Sequence, residues 1–438
     1  MMKQPWRTSD EEKTAMPASE TTIGARGASG IGVASAIAAA AGFLISLVVA
    51  RTLSPADTAQ FLIFWGLLFG LFGTLSGIQS ETTRAVRSAV LADRVGRGRT
   101  STRVLPAGLI VGAVVSAALL ASSALWAEKL FPAGSPWVIM AVALAGFAYS
   151  GHATLAGAAA GSQNWRLYSW LMGSESLVRF LCVVAVALTT ATVVGVEVAC
   201  TLASLVWIVF LVISREARGA IRARSDVALP ALLRQHSYAL VSAAATAALI
   251  VGFPIMFSLT SSPAAVASSA GLLLAVQLTR APIMIPLQAF QGVAIASFVN
   301  QRDRGLRALG RPVGLIIGIS VVGAVLAWWI GPWLMLIFGP GYVVGGAVLA
   351  LLTLGAGGMA VLTLTGAAAL ASGLHRVYTL GWIAATFASF VLLMIPASSD
   401  VRVTLSLCVS PLIGILVHGL GIPVAGGRRQ PPRIEDVT

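Results

Sequence analysis

Runs of apolar residues alternate with short polar segments along the whole chain. A helix needs about 20 mostly apolar residues to cross the hydrocarbon core of a bilayer, and about twelve runs reach this length. They begin near Ala28, Ala59, Leu105, Trp137, Tyr168 and Thr192 in the first half, and near Tyr238, Ala267, Val313, Val343, Val377 and Val403 in the second. The pattern predicts an all-α integral membrane protein with about twelve transmembrane helices.

A polar, arginine-rich segment near the middle of the chain separates the runs into two groups of six. We therefore expect a disordered cytoplasmic tail (1–27), a six-helix bundle (28–214), a cytoplasmic linker (215–236), a second six-helix bundle (237–423) and a cytoplasmic tail (424–438).

The two halves share a short sequence similarity. Ser54-Pro55 follows the first apolar run, and Ser262-Pro263 follows the first run of the second half. Proline in this place can begin a helix but not continue one. Because many transporters are built from repeated bundles, the shared Ser-Pro turn favours an internal repeat of the two halves.

Basic residues are distributed unevenly between the two sides. Nearly all of the 29 Lys and Arg residues fall in connections on one side of the predicted membrane. The exceptions are Arg51, Lys129 and Arg402 on the other side, and Arg179 and Arg280 inside spans. By the positive-inside rule, the basic connections and both termini are cytoplasmic, which predicts a multi-pass membrane protein. The basic side chains are nearly all Arg, and Ala and Gly are abundant, which is typical of a GC-rich bacterial genome and favours a bacterial cell membrane.

Composition excludes several classes of protein. Hydrophobic residues make up 57% of the chain, charged residues make up 10%, and the mean hydropathy is +0.88. These values exclude a soluble domain with a polar surface. Because the basic residues lie in short loops, the net charge of +13 indicates anionic membrane lipids as partners rather than nucleic acid. No metal-ligand cluster, cofactor motif or catalytic motif is recognisable, so we expect no metal, no cofactor and no enzymatic activity.

Ionisable residues inside spans are candidates for function because a bilayer penalises them by about 2.5–3.5 kcal/mol each. Glu175 and Arg179 are four residues apart, so they share one helical face and pair. The pair has two interpretations, a self-neutralising structural contact or a part of a binding or gating site.

Arg280 has no acidic neighbour within a helical turn, and Pro282 follows closely. Gln277 and Gln288 lie on nearby turns. An unpaired guanidinium beside loosened backbone and amides predicts an anion site, because Arg offers a fixed fork of donors to phosphate or carboxylate. The alternative is that Arg280 pairs with a carboxylate of another helix.

The remaining candidates lie near span ends or stand alone. Glu81 and Arg84 are interpreted as an ion pair at the membrane edge, with cavity lining as the alternative. His152 is isolated, which favours a hydrogen-bonded polar residue of the bundle over a ligand or proton carrier.

Two short motifs resemble a known family. Residues 50–55 (ARTLSP) and residues 334–342 (LMLIFGPGY), together with about twelve spans in two groups, are similar to polysaccharide transporters of the Wzx type. These belong to the multidrug/oligosaccharidyl-lipid/polysaccharide (MOP) exporter superfamily, which implies a MATE/MOP-like fold.

The resemblance implies a flippase that moves an undecaprenyl-diphosphate-linked oligosaccharide from the inner to the outer leaflet for surface polysaccharide synthesis. A polysaccharide polymerase and glycosyltransferases would be its partners. Arg280 and Arg179 are the candidates, by position, for contact with the diphosphate. A cation-coupled multidrug exporter of the same superfamily, a membrane enzyme and a non-transporting scaffold remain alternatives.

Overall fold

The computed structural model describes residues 25–94, 102–131, 136–300 and 309–427. Residues 1–24 of the predicted tail 1–27 and residues 428–438 of the predicted tail 424–438 lie outside the described residues, whereas residues 424–427 continue the last helix.

The described part of the chain is almost entirely helical, which confirms the predicted fold class. The principal helices, in chain order, are α1 Ala25–Thr52, α2 Pro55–Arg94, α3 Val104–Ser122, α4 Pro136–Gly161, α5 Trp165–Thr189, α6 Val193–Leu202 with its continuation Val206–Ile213, α7 Leu229–Ile250 with its continuation Phe253–Leu259, α8 Ala270–Asn300, α9 Gly310–Met335, α10 Gly346–Ala371, α11 His375–Leu393 and α12 Ser399–Gly427. Short helices Ala127–Leu130, Arg215–Ala220 and Pro263–Ala267 lie in connections.

Length and hydropathy make this a multi-pass membrane protein. Within the described ranges, 10 helices are long and apolar enough to cross a membrane, and the bent α7 pair makes 11. The described apolar part of α8, Ala270–Met284, is shorter. Every predicted apolar run coincides with one of the helices α1 to α12.

The helices pack in two groups along the chain. In the first group α4 is central and contacts α2, α3, α5 and α6, and in the second group α10 contacts α8, α9, α11 and α12. Small residues permit this central position. A Cβ atom on Gly157 would lie 2.6 Å from the Gln79 carbonyl oxygen, so α4 and α2 touch backbone to backbone.

The ends of α4 and α10 show the repeat in structural detail. Gln163 and Gly373 adopt the left-handed conformation, with φ of 61° and 72°. The following amides, of Asn164 and Leu374, donate to the carbonyls of Ala159 and Ala369 at 2.8 and 2.9 Å. Such a turn ends a helix and satisfies its last carbonyls. The two halves therefore carry equivalent turns into α5 and α11.

The two Ser-Pro turns also have the same local structure. Ser54 Oγ accepts a hydrogen bond from the Asp57 amide at 3.2 Å, and Ser262 Oγ accepts one from the Ala265 amide at 3.3 Å. Each serine thus caps the helix that follows it.

The two groups meet mainly along α2 and α7. A Cβ atom on Gly77 would lie 2.7 Å from the carbonyl carbon of Ala239, so these helices touch through backbone. Further contacts join α1 and α2 to α8. The space left between the groups forms a cavity.

Candidate functional site

A cavity of about 1610 Å³ lies between the two helix groups, lined by parts of α1, α2, α4, α5, α7 and α11. Its exposed lining residues include Ser80, His375 and Arg376. These lie at the end of the molecule where α1, α5, α7 and α11 begin. We name this end the basic face, because its exposed side chains include Arg84, Arg166, Arg234 and Arg376. The cavity opens toward the basic face.

The deep walls of the cavity are mostly apolar and aromatic. Trp65, Phe69 and Phe72 project from α2, and Tyr149 projects from α4. The Trp65 and Phe69 rings lie 4.3 Å apart, and the Phe72 and Tyr149 rings are stacked at 4.0 Å. Because the rings hold one another in place, this aromatic wall is preorganised.

Glu175 and Arg179 both line the cavity and are buried. Arg179 Nη1 donates to Glu175 Oε2 at 3.2 Å, and Nη2 pairs with Oε1. The Arg179 Nε donates to the Cys200 carbonyl at 3.2 Å, and its guanidinium lies 4.8 Å from the centre of the Phe69 ring. The predicted pairing is present, and it presents a neutral but strongly polar group to an apolar chamber.

Glu81 and Arg84 form an ion pair at the basic face, with 2.7 Å between Glu81 Oε1 and Arg84 Nη2. Arg84 also contacts Asp226 at 3.0 Å and Gln235 at 2.9 Å. Glu81 lines the cavity, whereas Arg84 does not. The pair is therefore part of a network that joins α2 to α7 and to the connection before it.

Arg280 lies outside the cavity lining, at the break in α7. The two parts of α7 meet at 70°, and residue 254 is proline. Since Pro254 has no N–H, the Ile250 carbonyl lacks its helical partner. Arg280 Nη1 donates to that carbonyl at 2.8 Å, and the guanidinium lies 5.6 Å from the Phe253 ring. The structure thus places Arg280 against a broken helix, bound to Ile250 of the cavity wall but not itself in the cavity lining, and without a carboxylate beside it in the described part of the chain.

Replacing Arg280 by Ala is expected to lower the free energy of unfolding by about 1–3 kcal/mol, because the Ile250 carbonyl then loses its donor. Thermal unfolding of the purified protein in detergent measures the change. Arg280→Lys keeps a cationic donor and serves as the matched control. A wild-type melting temperature in Arg280→Ala would show that this hydrogen bond is dispensable.

The other predicted residues are not brought together. Gln277 Oε1 accepts from Ser46 Oγ at 2.9 Å, which joins α8 to α1 away from the cavity lining. The side chain of Gln288 lies outside the described residues. His152 is buried behind Tyr149, with 5.5 Å between the two rings, but its Nδ1 has no hydrogen-bond partner among the described residues, contrary to the expected hydrogen-bonded role.

The end opposite the basic face is closed. Tyr342 Oη donates to the Ala50 carbonyl at 3.1 Å and is 2.9 Å from Thr58 Oγ1. Burial raises the pKa of the Tyr342 phenol, so it remains a proton donor at neutral pH. Arg51 Nε donates to the Ile337 carbonyl at 2.7 Å. We call these five residues the latch; through it, the motif segments 50–55 and 334–342 contact each other across the two helix groups.

Sequence reasoning missed the polar residues at the mouth of the cavity. His375 and Arg376 begin α11, and Tyr378 Oη lies 2.7 Å from Thr246 Oγ1 of α7. A signal was available in the repeat, since Arg166 and Tyr168 occupy the same places at the start of α5.

Comparisons with known proteins agree with this architecture. No family model matches the chain. The uncharacterized Mycobacterium tuberculosis protein Rv3630 is 38% identical over 411 residues, covering 90% of this chain and 94% of its own. A MOP superfamily transporter from Pyrococcus furiosus superposes with a TM-score of 0.63 at 14% identity, covering 92% of this chain and 96% of that one. An inward-facing multidrug resistance MATE family transporter gives 0.61 at 14% identity, covering 91% and 96%.

Proposed function

We propose that this chain, which belongs to the same family as Mycobacterium tuberculosis Rv3630 and has the fold of MOP superfamily transporters, is an alternating-access flippase for a lipid-linked saccharide. Its substrate would be a polyprenyl-diphosphate-linked oligosaccharide, moved from the inner to the outer leaflet of a bacterial cell membrane. The observation that carries the proposal is the large cavity, open at the basic face and closed by the latch.

The size and lining of the cavity suit such a substrate. Sites for drug-sized molecules are typically about 300–1,000 Å³, whereas this cavity is about 1610 Å³. Its apolar walls favour a prenyl chain, and its aromatic rings offer flat faces to sugars. The polar Glu175–Arg179 pair offers hydrogen bonds to hydroxyl groups without a net charge to repel any part of the substrate.

Arg376 is our candidate for contact with the diphosphate. It lies at the cavity mouth, is exposed, and forms no ion pair within the described ranges. The left-handed turn at Gly373 fixes the start of α11 and hence the place of this side chain. A guanidinium binds phosphate oxygens through two parallel hydrogen bonds. Arg376 thus replaces Arg280 in the proposed mechanism.

Membrane electrostatics favours the same direction of transport. If the basic face is cytoplasmic, as the positive-inside rule predicts, the cavity receives substrate from the inner leaflet. A negative-inside potential favours outward movement of anionic groups by about 2.3 kcal/mol per charge per 100 mV.

A multidrug exporter is the second candidate, because a MATE transporter is among the structural neighbours. A cationic drug would need an unpaired carboxylate in the cavity. Both acidic residues of the cavity lining, Glu81 and Glu175, are paired with arginine. This pairing favours the flippase over the exporter.

The test is flipping of a fluorescent polyprenyl-diphosphate-linked saccharide in proteoliposomes. The wild-type protein should accelerate flipping, and Arg376→Ala should slow it about tenfold or more, because a charge-assisted hydrogen bond contributes about 1.5–3 kcal/mol. Arg166→Ala is the matched control, since Arg166 has the equivalent place in α5 but does not line the cavity.

Wild-type protein that fails to flip the saccharide but exports a fluorescent cation would show that the drug exporter is correct. Equal rates in Arg376→Ala and wild type would remove Arg376 from the mechanism while leaving the flippase intact.

A further inference from the structure

Glu197 is a buried acid that the proposed transport step does not use. It lies on α6, outside the large cavity, and its side chain is fully buried. Its Oε1 accepts a hydrogen bond from Gln60 Nε2 at 3.3 Å, whereas Oε2 has no partner among the described residues. An ionised carboxylate is unfavourable in such a place, and the neutral acid avoids the penalty.

A second, smaller cavity on the latch side is lined by Gln60, the residue that donates a hydrogen bond to this acid. It has a volume of about 200 Å³ and is lined by Asp57, Gln60, Lys129 and Ser261 among others. We call it the vestibule. Its volume holds several water molecules, each of which takes about 30 Å³ in the liquid. Gln60 lines the vestibule and also donates to Glu197, so it connects the two. Asp57, which also lines the vestibule, lies one helical turn away from Gln60.

No basic side chain neutralises Glu197 in the described part of the chain. The titratable or charged groups on helices packed against α6 include Asp57 of α2, His152 of α4, and Arg179 and Cys182 of α5, with Cys200 on α6 itself. Arg179 is paired with Glu175. Its remaining Nε donates to the Cys200 carbonyl, one turn beyond Glu197, so the α6 segment that carries Glu197 is tied to the cavity pair.

We propose that Glu197 is a proton-binding site loaded from the latch side through the vestibule. A proton from vestibule water forms an O–H bond with Oε2 and neutralises the carboxylate, and the reverse step returns the proton to water. A proton fits better than a metal ion because Gln60 presents an N–H donor to the acid, and the described residues include no group of three or more potential metal ligands. The Cys200 carbonyl of α6 accepts a hydrogen bond from Arg179, which lines the large cavity. Through this contact, a change in the protonation state of Glu197 alters the position of the cavity wall at Arg179.

The first experiment observes the acid directly. Infrared difference spectra of the purified protein, titrated from acidic to alkaline pH, should show the carbonyl band of a protonated buried carboxyl. The band should disappear in Glu197→Gln, which has the shape of the neutral acid and is expected to fold. Glu128→Gln, which removes an exposed acid near Lys129, is the matched control and should keep the band. A band that persists in Glu197→Gln would overturn the proposal.

The second experiment measures coupling and rests on the proposed function. A pH gradient that is acidic on the vestibule side should accelerate saccharide flipping by the wild-type protein, and Glu197→Gln should lose this acceleration while retaining the basal rate. Glu197→Asp, which keeps a carboxyl group, should retain part of the acceleration. Wild-type gradient dependence in Glu197→Gln would overturn the proposal. If the wild-type protein flips no saccharide, the proposed function fails and the infrared result still decides the proton site.

Discussion

Replacing Arg179 by Met is expected to destabilise the protein by about 3–5 kcal/mol, because the substitution leaves the buried carboxylate of Glu175 without its partner. Arg179 is 3% exposed and Glu175 is 6% exposed, so neither charge is solvated well enough to stand alone. The substitution also removes the hydrogen bond to the Cys200 carbonyl and the contact with the Phe69 ring. Thermal unfolding and the yield of monodisperse protein in detergent measure the effect.

The control for this prediction is the double variant Glu175→Gln with Arg179→Met. It removes both charges together, so most of the lost stability should return. A single Arg179→Met variant with wild-type stability would show that Glu175 is neutral or solvated in the folded protein, contrary to the burial described above.

Replacing Tyr342 by Phe is expected to shift the protein from the form open at the basic face toward a form open at the latch. The substitution removes the hydroxyl contacts with Ala50 and Thr58 but keeps the ring in place. Each hydrogen bond contributes about 0.5–1.5 kcal/mol, and each 1.4 kcal/mol changes an equilibrium about tenfold. The expected shift is therefore about 5- to 150-fold.

Spin labels at the exposed residues Ser54 and Pro340, on opposite sides of the latch, report this shift. The distance between the two labels, measured by pulsed electron–electron double resonance, should become longer. The matched control is Thr52→Val, since the Thr52 hydroxyl is nearby but donates only within α1, to Val48. Identical distance distributions in Tyr342→Phe and wild type would mean that the latch does not hold this end closed.

The helices were predictable because a membrane protein must satisfy its backbone hydrogen bonds within each span. Apolar length alone therefore indicated where α1 to α12 lie. The Glu175–Arg179 pair was predictable for a similar reason, since a spacing of four residues brings both side chains to one helical face whatever surrounds them. Glu197 could have been found in the same way, as a single acid within an apolar run.

Arg280 shows the limit of this reasoning. The sequence around Arg280 indicated an unpaired cation beside backbone carbonyls that lack helical hydrogen bonds in its own helix. In the structure the carbonyl that it contacts belongs to α7 instead, at Ile250, which lacks a helical donor because residue 254 is proline. Such a contact depends on how two helices lie against each other, and no local spacing specifies it.

Sequence pattern alone specifies the number and class of the helices, the uneven distribution of basic residues, and the pairing of charges within one helix. These properties follow from hydrophobic length and helical periodicity, which act over neighbouring residues. The packing of the helices in three dimensions, by contrast, sets which side chains face the cavity and which end is open, and it brings segments 50–55 and 334–342 together in the latch. Helix packing in lipid depends on the close fit of small residues such as Gly77, and that fit, rather than any local pattern, brings distant parts of the chain together.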